Sequence, residues 1–286
     1  MRNLTKDNVT QAFIDLIADD AEPRAREIIT SLVNHLHDFA REVKLTPDEL
    51  VWGARFLQRI GQISDERREE GILMSDTLGA TMLVDAMAHS THTGATETSV
   101  LGPFWRDGAP EATTRADISV GNEGEKTIVY GRVATRDGKP VEGAVLDIWQ
   151  TAPNGLYENV DDTQPDMNLR VKLTTAADGA YELTTVKPCS YEIPTDGPVG
   201  EMLRALGRHS WRPAHIHFIV TADGFAPVTT ALFDEEDDYI DADSVFGVKD
   251  SLVIHYDRHD SKDEAKARGV EAPFYTVNYD FSLVPA

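Results

Sequence analysis

His215 and His217 stand two residues apart in the run RPAHIHFIV. Residues two apart on a strand point to the same face, so both imidazoles can converge on one ion. His35 and His37 share that spacing but lie in a helical stretch. Two residues of helix turn about 200°, so those rings diverge. His255 and His259 are four apart in HYDRHDSKDE, which reads as a strand running into a polar loop and makes a poor platform for an ion. Two histidines do not complete a metal site. A cupin-like site needs a carboxylate four or five positions after the second histidine, where this chain has Thr221 and Ala222. An iron(II) facial triad also needs a carboxylate, and none stands near the pair in sequence. Two tyrosines occupy unusual settings. Tyr157 follows the Asn154-Gly155 turn in TAPNGLYEN, and Tyr191 sits in KPCSYEIPTDGPVG. Segments so rich in proline and glycine hold side chains in place without regular structure. The plain alternative for all four residues is packing: two satisfied histidines on a sheet face and two tyrosines buried in loops.

The elements that must carry these residues change character near residue 95. Before it the pattern is helical, with Ile28, Ile29, Leu32, Val33, Leu36, Phe39, Ala40 and Val43 at three- and four-residue steps. Pro23 is placed to open that helix. Thr46-Pro47-Asp48-Glu49 reads as a capping box with proline at the first helical position. Ser75 or Asp76 can cap a further helix through about His89. After residue 95 the period becomes two, as in KTIVYGRV and from Tyr275 to Leu283. Further strands are expected at Val145–Gln150, Tyr181–Thr185, His215–Val220, Val228–Phe233 and Ser251–His255. Asp137-Gly138, Asn154-Gly155, Asp178-Gly179, Asp196-Gly197 and Asp223-Gly224 punctuate them as turns. Short strands at near-regular spacing predict an antiparallel β-sandwich. The chain is therefore read as α+β, mainly β. Residues 1–95 form a helical N-terminal domain, and residues 96–286 form the sandwich that carries the chemistry. The acidic run Asp234–Asp243 reads as a solvated loop. Its spacing does not match an EF-hand calcium loop.

Composition removes several classes of function. The chain has 27 basic and 49 acidic residues, a net charge of −22. Such a surface repels phosphate backbones, which argues against nucleic-acid binding. No apolar run approaches the roughly 20 residues that span a bilayer, so no membrane insertion is expected. The N-terminus shows no signal-peptide pattern. The single cysteine, Cys189, leaves no internal disulfide, which fits a reducing cytoplasm.

The runs DIWQTAPNGLYENVD, YEIPTDGPVGEML and RPAHIHFIVTADGF, in that order and at those separations, resemble the intradiol ring-cleavage dioxygenases. The resemblance covers residues 25–286 and is strongest from Leu101 to Asp250. It implies one Fe(III) per chain, held by Tyr157, Tyr191, His215 and His217, with Tyr157 and His215 equatorial and Tyr191 and His217 axial. Phenolate oxygen suits this hard ion, and a metal can ionise a tyrosine at neutral pH although its usual pKa is about 10. The reaction implied is cleavage, with O2, of the bond between the two hydroxyl carbons of a small aromatic diol. Tyr191 would leave the iron as the diol binds, carrying away a proton. Arg212 lies an odd number of residues before His215, so regular strand geometry would aim it away from the iron. Pro213 makes a regular strand there improbable, and the resemblance brings Arg212 to the pocket to steady negative charge on the ring. The position fourteen residues after His217, where the family commonly has a polar side chain, often glutamine, is Ala231 here.

Within the family, GILMSDTLGATMLVDAM and GATETSVLGPFWRDGAP look most like the hydroxyquinol 1,2-dioxygenase branch. A carboxylate at Asp76, where catechol enzymes typically have proline, can accept a hydrogen bond from the third hydroxyl of hydroxyquinol (benzene-1,2,4-triol). Such a bond is worth about 1.5–3 kcal/mol. Leu73, one turn earlier, would share that face. Val100, Leu101, Gly102 and Pro103 would form a second wall, and Phe246 and Gly247 a third. The product would be 3-hydroxy-cis,cis-muconate, the enol form of maleylacetate. The alternative substrate is catechol, giving cis,cis-muconate. The resemblance also implies a homodimer through the N-terminal helices, with lipid held between them in some members. Two rival readings stand beside it. A non-catalytic β-sandwich binding module fits the strand pattern but leaves the two tyrosines and two histidines unexplained. A zinc hydrolase built on His215 and His217 would be colourless, whereas ferric tyrosinate absorbs visible light.

Overall fold

The computed structural model describes residues 2–65, 68–90 and 94–286. Packing divides the chain into two compact units, Met1–Arg59 and Ile60–Ala286. The first contains α1 (Val9–Ile14), α2 (Pro23–Glu42) and most of α3 (Pro47–Ile63). Pro23 does open α2, and the Glu22 carboxylate accepts the N–H groups of Arg24 and Ala25. The capping box before α3 closes both ways. Thr46 N–H donates to Glu49 at 2.8 Å, and Glu49 N–H donates to Thr46 Oγ1 at 3.3 Å. None of the described helices is long and apolar enough to cross a membrane.

In the second unit, α4 (Glu70–Thr77) and α5 (Ala80–Ala88) replace the single helix expected from Ser75 or Asp76 to His89. Gly79, at φ +74°, breaks the chain between them, a conformation that costs a residue without a Cβ little. Asp76 therefore lies in the last turn of α4 and caps nothing.

The strands are β1 (Glu111–Ala112), β2 (Arg115–Asp117), β3 (Lys126–Thr135), β4 (Val145–Trp149), β5 (Arg170–Thr174), β6 (Ala180–Val186), β7 (Tyr191–Glu192), β8 (Trp211–Arg212), β9 (His215–Thr221), β10 (Val228–Asp234), β11 (Val253–Ile254), β12 (Asp257–His259), β13 (Phe274–Asn278) and β14 (Phe281–Leu283). Two helices interrupt them, α6 (Pro198–Ala205) and α7 (Lys262–Arg268). One sheet runs β1-β5-β4-β9-β10-β11 and the other β12-β13-β3-β6-β2, with β14 continuing along β3; β7 and β8 pair alone. The ladders β4·β5, β4·β9, β9·β10 and β3·β6 are antiparallel. β1, β2, β11, β13 and β14 join in parallel. Each reaches its partner after a long excursion of chain, as a parallel pair requires, so the pairing is mixed where turn spacing alone suggested antiparallel.

Several local expectations change. Tyr275–Leu283 is two strands, because the chain turns at Tyr279 and Asp280 to pass Gly131, where any Cβ would strike the Tyr279 carbonyl. Ser251–His255 shrinks to Val253–Ile254 behind a 3-10 turn. Asp196-Gly197 is no hairpin turn: Gly197 is extended and starts α6, with Pro198 in the first turn.

Val129 and Leu183 from one sheet pack with Leu146, Ile148, Ile216 and Phe218 from the other in one buried cluster. This is the interior of the sandwich. Alternation along β4 and β9 then sends Trp149, His215 and His217 to the opposite, outer face of their sheet. A second buried cluster covers that face, with Leu73, Val100, Phe104, Trp149, Tyr157, Tyr191 and Val245 among its members.

Candidate metal centre

β9 presents both imidazoles to this covered face, and each is buried. His215 Nε2 and His217 Nε2 lie 3.0 Å apart. Two nitrogens bound to one ion at about 2.1 Å and at right angles stand about 3 Å apart, so this pair is spaced to share an ion. His215 Nδ1 is 2.7 Å from the Pro213 carbonyl. A carbonyl only accepts, so the proton sits on Nδ1 and Nε2 presents its lone pair. His217 stacks on Trp149 with ring centres 4.7 Å apart and planes 5° from parallel. Trp149 and Ala231 are its cross-strand neighbours. Its Nδ1 is buried without a hydrogen-bond partner, and a methyl group at 231 supplies none.

Both tyrosines reach the same place from loops. The Asn154-Gly155 turn forms as expected, with Gly155 at φ +79°, and it delivers Tyr157 beneath β4. Phe104 stacks on Tyr157 at 4.5 Å and 18°. The next residue, Glu158, is fixed by a buried ion pair to Arg170 at 2.7 Å, and Arg170 donates to the Phe104 carbonyl at 2.7 Å. Tyr157 is thus held from two sides. Tyr191 lies on β7, with its ring centre 5.5 Å from that of Tyr157 and 5.6 Å from that of His215. The Tyr157 hydroxyl is buried with no hydrogen-bond partner among the described residues.

Burial pushes the Tyr157 phenol well above its usual range, with the neighbouring Tyr191 adding to the effect. It pulls His215 down to about 3 and His217 well below its usual value. The histidines are therefore neutral lone-pair donors, and the phenol ionises only if a strong cation binds it. Two imidazole nitrogens, a second tyrosine and an unpartnered phenol at one point fit a hard, highly charged metal ion. Among the described residues, no three His, Cys, Asp or Glu side chains gather to hold an ion. The carboxylate of a facial triad is thus not beside the pair, and the acidic run Asp234–Asp243 makes no such group.

Arg212 arrives by a route that parity along one strand did not describe. It lies on β8, which pairs with β7 so that Arg212 stands across from Tyr191. Pro213 and Ala214 separate it from β9. Its Nη1 lies 3.4 Å from the Tyr191 hydroxyl and 3.3 Å from His215 Nε2. Burial opposes its charge, but the Asp243 carboxylate and the two tyrosines outweigh that and raise its pKa. The acidic run is less solvated than its composition suggests. Asp243 pairs with Arg212, Asp234 pairs with Lys187 at 2.9 Å, and Asp237 accepts the Ala214 N–H at 2.9 Å.

The expected diol pocket is only partly assembled from side chains. Leu73, Asp76 and Val100 are buried, and Leu73 and Val100 share the cluster with both tyrosines. Asp76 Oδ1 has no hydrogen-bond partner. Burial raises the Asp76 pKa, with Thr81 and Arg212 opposing the shift. At Gly102 a Cβ would sit 3.8 Å from the His217 ring, and at Gly247 a Cβ would press on Arg212 Nη2 at 3.0 Å. Leu101 is 40% exposed and Phe246 50%. Phe246 holds a left-handed φ of +61°, with the Arg208 guanidinium 5.0 Å over its ring. Pro103 faces a separate surface cavity of about 510 Å³ beside Trp105, Arg106 and Glu158. Among the described residues, His37 meets Thr10 at 2.9 Å, His259 meets Thr276 at 2.9 Å, and His255 pairs with Glu235, all away from this pair.

Sequence reading missed Trp149, Phe104 and Asp243. Trp149 had a usable signal, since it shares the strand parity that sends side chains outward from VLDIW. Asp243 had none, because an acid among acids looks solvated.

Residues 100–285 match the family model described as Dioxygenase, and residues 22–96 match that described as Catechol dioxygenase N terminus. A hydroxyquinol 1,2-dioxygenase of Rhizobium sp. (strain MTP-10005) is 43% identical over 275 residues, 96% of this chain and 93% of that protein. A 6-chlorohydroxyquinol 1,2-dioxygenase of Cupriavidus pinatubonensis is 42% identical over 285 residues, covering 100% of this chain and 99% of its own. The crystal structure of hydroxyquinol 1,2-dioxygenase from Pseudomonas putida DLL-E4 superposes with a TM-score of 0.90 at 45% identity, over 98% of this chain and 99% of that one.

Proposed function

The chain belongs to the intradiol ring-cleavage dioxygenase family, and from that membership we propose that it opens hydroxyquinol between its adjacent hydroxyl carbons. The family uses non-haem iron. In this chain Tyr157, Tyr191, His215 and His217 are the residues to hold it, as one Fe(III). Bound there, the ion supplies a Lewis acid that binds the diol and makes it reactive towards O2. Ionised by such an ion, Tyr191 would be a phenolate able to take one proton from an incoming hydroxyl. Its oxygen lies 3.4 Å from Arg212 Nη1, which donates a hydrogen bond that orients it. Arg212 also faces negative charge that develops on the ring. Leu73, Val100, Leu101, Gly102, Phe246 and Gly247 shape the space around it, whereas Pro103 lines the separate cavity.

Asp76 carries the choice of diol. It is 2% exposed and has one oxygen without a partner. A buried carboxylate oxygen in that state lacks a donor, and the third hydroxyl of hydroxyquinol is one. The product is 3-hydroxy-cis,cis-muconate, the enol of maleylacetate. Oxygen uptake with hydroxyquinol and with catechol tests this, after subtraction of hydroxyquinol autoxidation. We expect kcat/KM at least about tenfold higher for hydroxyquinol, and the ratio should collapse in Asp76→Ala. A preference for catechol would keep the iron chemistry and remove Asp76 from substrate choice.

The remaining roles follow the same reading. Residues 96–286 carry the chemistry, with Leu73 and Asp76 contributed from the preceding helical region. The N-terminal helices serve a homodimer, and their exposed Ile28, Leu32, Leu36 and Phe39 offer it, or a bound lipid, apolar surface. A cytoplasmic setting suits the single cysteine, Cys189.

A further inference from the structure

Arg212 is buried, and its guanidinium can turn any of three edges towards the metal ligands. What selects the edge is visible on its far side. Asp243 takes Nε at 3.0 Å through Oδ1 and Nη2 at 3.2 Å through Oδ2. This is a fork-to-fork pair, the arrangement that fixes both position and plane. It leaves Nη1 as the terminal group turned to Tyr191 and His215. Both partners have side chains only 2% exposed. Asp243 is itself pinned: its Oδ2 accepts the Gly247 N–H at 2.9 Å, and its Oδ1 accepts the Val245 N–H at 3.3 Å. The loop from Asp243 to Gly247 folds back around its own first side chain to do this. Among the described residues, Asp243 is the one carboxylate in ion-pair contact with Arg212. The pair brings no net charge to a face already crowded with ligands.

We propose that Asp243 is a positioning residue, which acts through Arg212 by fixing the edge of the guanidinium that faces the iron ligands. It does not touch the substrate. This rests on the reading of the site given above, in which Arg212 acts on the reacting diol. A displacement of about 1 Å in such a group can cost roughly a hundredfold in rate.

Four full-length, iron-loaded proteins test the role: wild type, Asp243→Asn, Arg212→Ala and the double variant. Asparagine keeps the shape of Asp243 and removes its charge and one acceptor. We expect Asp243→Asn to lower kcat by roughly a hundredfold with KM within about threefold. On the Arg212→Ala background the same change should cost less than about twofold, because no guanidinium remains to be aimed. A full repeat of the loss on that background, or an Asp243→Asn enzyme within twofold of wild type, would overturn the proposal. Melting temperature gives a reading that does not need activity or a folded single asparagine variant. In Arg212→Ala, Asp243 is a buried carboxylate without a counter-ion, so the double variant should melt higher than Arg212→Ala. Equal or lower melting also overturns the proposal. Wild-type protein that takes up no oxygen with either diol counts against the site reading instead, and the melting comparison then tests the Asp243–Arg212 pairing by itself.

Discussion

Strand β9 has two faces, and they differ in what they bury. Ile216, Phe218 and Val220 point into the sandwich, all at 0% exposure and all in contact with apolar neighbours. His215 and His217 point the other way, onto an equally buried face where polar atoms lack partners. The Tyr157 hydroxyl, His217 Nδ1, Trp149 Nε1 and Asp76 Oδ1 are all buried there or in the pocket wall without hydrogen bonds. An unpaired buried polar group costs about 1–3 kcal/mol in mutational terms. The inner face thus stabilises the fold. The outer face is held in a less satisfied state that bound groups can relieve, and it depends on the inner face to keep it so.

The contrast is broken most severely by exchanging what each face can afford to lose. His217→Ala should lower the iron content of protein prepared with iron, and the visible colour in proportion. It should also cut turnover by more than the roughly 10- to 100-fold that loss of a mere hydrogen-bond partner of a metal ligand costs, while the apo protein melts at or above the wild-type temperature. Phe218→Ala should do the reverse, costing about 3–5 kcal/mol of stability while the folded fraction keeps its absorption band. Parallel melting curves and visible spectra check both. A His217→Ala apo protein as unstable as Phe218→Ala would show that the two faces do not divide the work.

Tyr191→Phe is a smaller change on the outer face. It removes the hydroxyl that faces Arg212 and leaves Tyr157, His215 and His217. Iron should still bind, in reduced amount, with a shifted visible band and turnover slowed by roughly 10²-fold, as for loss of a proton-transferring group. Metal analysis and stopped-flow oxygen uptake read this out, and unchanged turnover would remove Tyr191 from proton transfer.

The smallest expected effect is on stability. Burial raises the Asp76 pKa above that of the unfolded chain. A carboxyl group shifted this way contributes its stability below the unfolded value and loses it as pH rises through the folded one. At neutral pH, above the unfolded value, a carboxyl group shifted this way is a burden, and Asp76→Asn should stabilise the protein by about 1 kcal/mol, roughly 2–4 °C in Tm. The gain should vanish below about pH 4, near the unfolded pKa. Melting as a function of pH checks the sign. A variant less stable than wild type at neutral pH would mean that Asp76 is better paired than its free oxygen indicates.

Sequence alone carried the direction of the His215–His217 pair, because His-x-His on a strand leaves little choice: a period of two fixes the face; the tyrosines joined them only through the resemblance. It carried α2 and α3 as well, since Pro23 and the Thr46–Glu49 box are local devices whose partners lie within a few residues. It failed where a side chain's role depends on a distant partner. Asp76 was legible as polar but not as the end of α4, which hinges on the left-handed Gly79. Arg212 was assigned to the pocket by resemblance, and the reason it gets there is the separate β7–β8 ribbon. Asp243 was invisible among its acidic neighbours, because nothing in DEEDDYIDAD distinguishes a carboxylate that meets a buried arginine 31 residues away in the chain from one that meets water. Local spacing thus determined which face the two histidines take. Tertiary structure alone decided which charges are buried together, because burial and pairing are properties of segments brought side by side and leave no mark on spacing.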